Sequence, residues 1–147
     1  MQKTTSAGYL MNHIARQFAI LLNEGLNPLG VSPAQFPILL TLWEQDGLSQ
    51  NELVEIADLK QATIANTLAR MERDGLIVRI PHPTDARIRL IKLTNHAKDL
   101  QEKATVIAQN INQTALSVLT DDEQEVFIRM MNKVVAQQKL MIKNKAG

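Results

Sequence analysis

The sequence predicts a mainly α fold with one small β-hairpin, on three observations. Aromatic residues are only 3% of a chain that is 45% hydrophobic, and this stock of Leu, Ile, Ala and Met suits helix-on-helix packing better than a sandwich of strands. Apolar residues recur at helical spacing in successive stretches, most of them opened by a capping residue. Only residues 76–93 depart from that rhythm, as two short runs either side of a turn that holds Pro81 and Pro83. At 147 residues the chain is expected to be one compact unit around one core.

The first helix is expected between Ser6 and Leu22. Leu10, Ile14, Phe18, Leu21 and Leu22 mark its buried face, with His13 and Arg16 off it. Pro28 and Gly30 break the pattern. Ser32-Pro33-Ala34-Gln35 opens a second helix: Ser32 caps the backbone, Gln35 reaches back, and Pro33 takes the first position, where no donor is needed. That helix should bury Phe36, Leu39, Leu40 and Trp43. Pro37, one turn inside it, removes a donor and predicts a local bend. Gly47 closes the helix, and Leu48 is a candidate one-residue strand.

Ser49-Gln50-Asn51-Glu52 is a second capping box, opening a short helix that should bury Leu53, Ile56 and Ala57. After the turn Asp58-Leu59-Lys60, a helix from Gln61 to Asp74 places Ile64, Leu68 and Met71 on one face. Projection at the helical period leaves Ala62, Asn66, Ala69 and Arg73 opposite, with Thr63 and Arg70 on the flank. Gly75 stops it. Leu76–Ile80 and Arg87–Leu93 then read as the strands of the hairpin. From Asn95, capped by Thr94, a long helix should bury Leu100, Ala104, Ile107, Ile111, Ala115 and Val118. A third capping box, Thr120 to Glu123, opens a last helix with Val126, Met130, Val134 and Met141 on its apolar face.

Two short helices followed by a hairpin make a winged helix-turn-helix, and the details of this one point to nucleic acid. The exposed first turns of its second helix carry Gln61, Ala62, Thr63 and Asn66, short amide and hydroxyl side chains suited to base edges in a major groove. Residues 57–94 hold seven cations against four carboxylates, whereas residues 1–56 hold two against five, so positive charge gathers where phosphates would lie. Arg79, Arg87, Arg89 and Lys92 flank or follow the hairpin tip, where arginines suit the narrow minor groove of A·T-rich DNA. Asp85 stands two residues before Arg87, in range to orient its guanidinium. Residues 31–94 are therefore expected to be the DNA-binding region, and residues 1–30 and 95–147 a helical dimerisation region.

Other function classes find little footing. There is no Gly-rich phosphate loop, no pair of metal ligands at helical spacing and no nucleophile within a motif, so no enzyme and no cofactor are expected. The absence of cysteine removes disulfides, thiolate metal sites and thiol redox sensing. His13 and Arg16 interrupt the N-terminal apolar run, so neither a signal peptide nor any contact with a membrane is expected, and the expected compartment is cytoplasmic. The rival reading is a winged helix used for protein–protein assembly without DNA.

Taken in order, the elements resemble the MarR family of bacterial transcriptional regulators. Its wing signature, Asp-x-Arg followed by Leu-Thr, is met by Asp85, Arg87, Leu93 and Thr94, and further matches are Gln35-Phe36, Leu53, Leu68, Glu72 and Gly75-Leu76. The resemblance implies a homodimer on a pseudo-palindromic operator, commonly a repressor, often released by a small phenolic or other lipophilic anion. It implies that Arg87 enters the minor groove with Asp85 holding it, and that Gln61, Ala62, Thr63, Asn66 and Arg70 face the major groove. A pocket for an effector would draw on His13, Arg16, Phe36 and Trp43. Asn66 departs from the Arg of many members, and Ala97 from the Gly that often follows the Leu-Thr pair. Three scattered histidines, His13, His82 and His96, do not suit a zinc sensor.

Overall fold

The computed structural model describes residues 1–146, with side chains to residue 145. Two compact units divide it, one from Met1 to Gln109 and one from Asn110 onward.

Local capping chemistry sets most of the helix starts. Ser6 Oγ accepts the Tyr9 N–H at 3.3 Å and begins α1, Ala7–Leu26. Ser32 and Gln35 exchange both bonds of a capping box, at 3.0 and 3.3 Å, but they do so around a turn that precedes the helix. α2 itself is Phe36–Glu44. Pro37 therefore stands in its first turn, where no donor is missed, and not one turn inside as the sequence suggests. Gly47, at φ 76°, makes the left-handed turn out of α2. It leads into β1, Leu48–Ser49, a two-residue strand where the sequence indicates a single residue.

The reciprocal bonds of Ser49 and Glu52 open α3, Gln50–Ala57. Asp58, in the left-handed region at φ 56°, closes it, and α4 comes next as Gln61–Arg73. α4 buries Ile64, Thr67, Leu68 and Met71, a stripe of i, i+3, i+4 and i+7. Thr67 is tolerated there because its Oγ1 donates to Thr63 O at 2.8 Å. Gly75, at φ 75°, turns the chain into β2, Ile77–Pro81, which returns as β3, Arg89–Leu93. The antiparallel sheet has the order β1-β3-β2, with Leu48 opposite Ile91, Ile77 opposite Leu93 and Pro81 opposite Arg89.

The core of the first unit lies where α2, α3, α4 and the sheet meet. Ile38, Leu39, Leu42, Leu53, Ile64, Leu68, Met71 and Ile91 are fully buried there. Longer-range bonds pin its edges. Gln35, itself buried, donates from Nε2 to Asp74 Oδ2 at 3.1 Å and ties the start of α2 to the end of α4. Asp46 Oδ1 accepts the Leu93 N–H at 2.9 Å, while its Oδ2 lies 3.4 Å from Lys92 Nζ. Thr94 caps α5, Asn95–Asp99, and Trp43 Nε1 donates to Ala97 O at 3.0 Å.

The expected continuous helix from Asn95 is two pieces, α5 and then α6, Gln101–Leu116. The N–H of Leu100 still donates to His96 O and that of Ala104 to Leu100 O, so the interruption is confined to one residue. In the second unit Thr120 and Glu123 exchange both capping bonds at the start of α7, Asp121–Ala146. Gln124 Nε2 donates to the carbonyls of Leu116, the last residue of α6, and Leu119, in the turn after it, and so ties the start of α7 to that turn. No helix among the described residues is long and apolar enough to cross a membrane.

Several residues expected in the core are exposed instead. Leu10, Ile14 and Leu21 of α1, Leu40 of α2, and Ile56 of α3 lie open. So do Ala115 near the end of α6, Val118 in the turn beyond it, and Met130, Val134 and Met141 of α7, whereas Val126 is half-buried. Phe18, Trp43, Ala57, Ile107 and Ile111 are likewise only half-buried. Periodicity identifies the apolar face of a helix, not what covers it.

Candidate nucleic-acid interface

α3 and α4 are joined by a tight turn at residues 58–60, so the first turn of α4 lies beside the start of α3. On α4, Gln61, Ala62, Thr63, Asn66, Ala69, Arg70 and Arg73 are exposed, as the helical projection requires. Gln61 is not a free side chain. Its Oε1 accepts from Gln50 Nε2 at 3.2 Å and its Nε2 donates to Asn51 Oδ1 at 2.9 Å. Gln50 and Asn51 thus hold it in one orientation. Sequence reading missed this pair, although two amide side chains directly after an N-cap and a third at the next helix start are a readable signal. Arg73 lies 3.5 Å from Asp74.

The wing sorts its cations into two groups. Arg79 is half-buried and turned inward, with Nε 3.7 Å from Glu72 Oε1 and Nη1 3.5 Å from Gln50 Oε1, and Lys92 is committed to Asp46. Arg87 and Arg89 are exposed, with Arg89 Nη2 donating to Arg79 O at 3.5 Å. Arg87 is the better defined. Its Nε and Nη2 donate to the two oxygens of Asp85, each at 3.1 Å, and its backbone N–H donates to Asp85 Oδ1 at 3.0 Å. Because the Arg87 side chain is 89% exposed, this planar fork holds a guanidinium out in solvent and not in a core. A cleft lined by Gln50, Asn51, Arg79, Arg87 and Arg89 opens between the start of α3 and the wing.

The Arg87 guanidinium, and after it the Arg87 backbone N–H, hold the Asp85 carboxyl below its ordinary value. The same bond raises the Arg87 guanidinium, which stays charged at any working pH. For a lowered carboxyl the sign is fixed: the pair is complete above the usual aspartate value of about 3.9 and comes apart only as pH falls through the lowered one. An NMR titration of the Asp85 carboxyl carbon should therefore have its midpoint below that of an unpaired aspartate, and Arg87→Ala should bring it back up. Equal midpoints in the two proteins would contradict the pairing.

The four residues expected at an effector pocket do not form one cluster by hydrogen bond or ring contact among the described residues. Phe36 and Trp43 stack edge to face, with centroids 6.1 Å apart, and Phe36 is buried. His13 meets Tyr9 in the same way at 5.7 Å, and Arg16 is exposed on α1. No group of three or more histidines or carboxylates among the described residues is placed to hold a metal ion.

Residues 31–88, from the turn before α2 to the wing, match the model of the MarR family. The transcriptional regulator HosA of Escherichia coli O111:H- is 32% identical over 101 residues, which cover 69% of this chain and 75% of that protein. Among solved structures, a MepR–DNA complex from S. aureus is similar with a TM-score of 0.82 and 28% identity, over 90% of this chain and 98% of that one. PcaV of Streptomyces coelicolor, solved with its natural ligand, is similar with a TM-score of 0.81 and 28% identity, over 92% and 96%. Members of the matched family are transcriptional regulators and not enzymes, and this chain belongs to the MarR family.

Proposed function

We propose that this regulator binds double-stranded DNA as a homodimer through residues 31–94. Gln61, Ala62, Thr63, Asn66 and Arg70 would face the major groove, and Arg87 and Arg89 the minor groove beside it, with Asp85 aiming Arg87. The observation that carries the reading is the Asp85–Arg87 fork, which pre-orients a fully charged guanidinium on an exposed hairpin. Such a group is organised for an external anionic partner, and its ordering is spent before binding. That the similar MepR was solved as a complex with DNA supports DNA as the partner.

Residues 1–30 and 95–147 would form the dimerisation region. Support comes from the apolar side chains that each element leaves in solvent: Leu10, Met11, Ile14, Ile20 and Leu21 on α1, and Ile128, Met131, Val134, Val135, Leu140 and Ile142 on α7. Exposed apolar stretches of this extent mark interfaces. Val134→Glu should accordingly convert the dimer to monomer in sedimentation velocity at micromolar concentration. A wild-type protein that sediments as a monomer would contradict this part of the proposal.

A two-fold dimer would read a pseudo-palindromic operator, and the role of repressor is carried over from the family resemblance. A small aromatic or lipophilic anion would release it, and that the similar PcaV was solved with its natural ligand supports a small-molecule partner. His13 and Arg16 on α1 would supply polar and cationic groups for such an effector, and the Phe36–Trp43 pair an apolar wall. Selection of bound duplexes from random DNA, repeated with aromatic carboxylates, tests all of this. The recovered half-sites should lie about 10 to 10.5 base pairs apart or a multiple of that. Recovery of no enriched sequence would favour the protein-assembly reading.

A further inference from the structure

The wing tip is organised by a residue that the DNA-binding assignment does not use. His82 lies between Pro81 and Pro83, and its backbone N–H donates to Ile88 O at 3.1 Å to close the hairpin. Its ring Nδ1 accepts two backbone N–H groups at once, from Thr84 at 3.1 Å and from Asp85 at 3.0 Å, with the Thr84 hydroxyl at 3.4 Å. An Asn or Asp side chain plays this part in an ordinary turn. A histidine can do so only in the neutral tautomer that carries its proton on Nε2. The second of those N–H groups belongs to Asp85, whose carboxylate holds Arg87 by three bonds. His82 fixes the Asp85 backbone, and Asp85 fixes the guanidinium.

We propose that His82 is the positioning residue of the wing: neutral, it locks the turn that presents Arg87, and on taking up a proton it releases that turn and weakens DNA binding. The proposal rests on the DNA-binding reading of the wing. An imidazolium has two donors and no acceptor, so the Thr84 and Asp85 N–H groups lose their partner. Its nearest carboxylate is Asp85, for which it then competes with Arg87. The other charged groups around the wing are Arg87 in its turn, Arg79, Arg89 and Lys92 on its two strands, and Glu72 of α4 across from Arg79. Imidazole is the side chain whose charge changes nearest neutral pH, so acidification is the variable that exposes the release. An added cation near phosphates acts in the opposite sense and would tighten binding in acid. The sign of the pH effect therefore decides between the two.

Two variants isolate the acceptor. His82→Asn puts an amide oxygen where Nδ1 stands and does not titrate. His82→Phe keeps an aromatic ring at the position and removes the acceptor. The probe is the duplex recovered by selection from random DNA, with affinities read by fluorescence anisotropy at constant ionic strength, at about pH 8 and about pH 5.5. The wild type should lose roughly tenfold more affinity on acidification than His82→Asn, and His82→Phe should be about tenfold weaker at the higher pH with little further loss. A wild type that behaves like His82→Asn at both pH values, or that binds more tightly in acid, overturns the proposal, as does a His82→Phe protein that binds normally.

Arg87→Ala at the higher pH separates this failure from that of the underlying reading, because unchanged affinity there removes the wing from DNA altogether. A DNA-free readout then still tests His82. The Arg87 Nε–H resonance should move with the charging of His82 in the wild type and stay put in His82→Asn. Equal behaviour of the two proteins counts against the proposal.

Discussion

Replacing Arg87 by Ala should weaken DNA binding by roughly ten- to a hundredfold, the range that corresponds to about 1 to 3 kcal/mol for one well-placed arginine. The melting temperature should hardly move, because the side chain is 89% exposed and its partner Asp85 is on the same turn. An exposed pair of this kind adds little to folding. The combination is diagnostic: a group that matters for binding and not for stability is held for something outside the chain. Lys at the same position should recover only part of the loss, since it keeps the charge but cannot form the fork with both Asp85 oxygens. Melting and binding losses that rise together would mean that the wing itself had come apart.

Leu68→Ala should destabilise the chain by about 2 to 5 kcal/mol, the usual cost of truncating a fully buried leucine. Leu68 sits in the stripe with Ile64 and Met71 that seats α4 against the rest of the core. DNA binding should fail with it, through loss of the helix's seat and not through any contact with DNA. Ile56→Ala is the matched control. It removes a similar apolar side chain from the neighbouring α3, yet Ile56 is 53% exposed, and a change of only a few tenths of a kcal/mol is expected of such a surface position. Chemical denaturation of the two variants, read by midpoint at constant slope, measures the difference. Equal losses would mean that Ile56 is covered in solution.

The contrast between Leu68 and Ile56 also shows what can be read from sequence. Features set by neighbours within four residues are legible: the Ser49–Glu52 and Thr120–Glu123 boxes form with both bonds, and Gly47 and Gly75 take the left-handed conformation that ends their helices. The Asp85–Arg87 pair is of the same local kind, so the wing carried the strongest signal for the site. Ser32 and Gln35 make the expected bonds, yet the helix begins only at Phe36, because a capping box fixes a turn and not where the regular helix after it begins. Bonds between distant residues leave no such trace. Gln35 to Asp74, Trp43 to Ala97 and Asp46 to Leu93 span 39, 54 and 47 positions, and nothing in the periodicity names their partners. The Gln50–Gln61–Asn51 contacts fall between these cases, 10 and 11 residues apart across a turn.

The most direct test of the central claim, that the wing and α4 form a phosphate-neutralising DNA surface, is the salt dependence of affinity for the selected duplex in the wild type and in Arg87→Ala. The wild type should give a straight log–log plot falling by about 0.9 for each phosphate neutralised, and the variant a plot shallower by about one such unit. A wild-type plot that is flat across the salt range would contradict it.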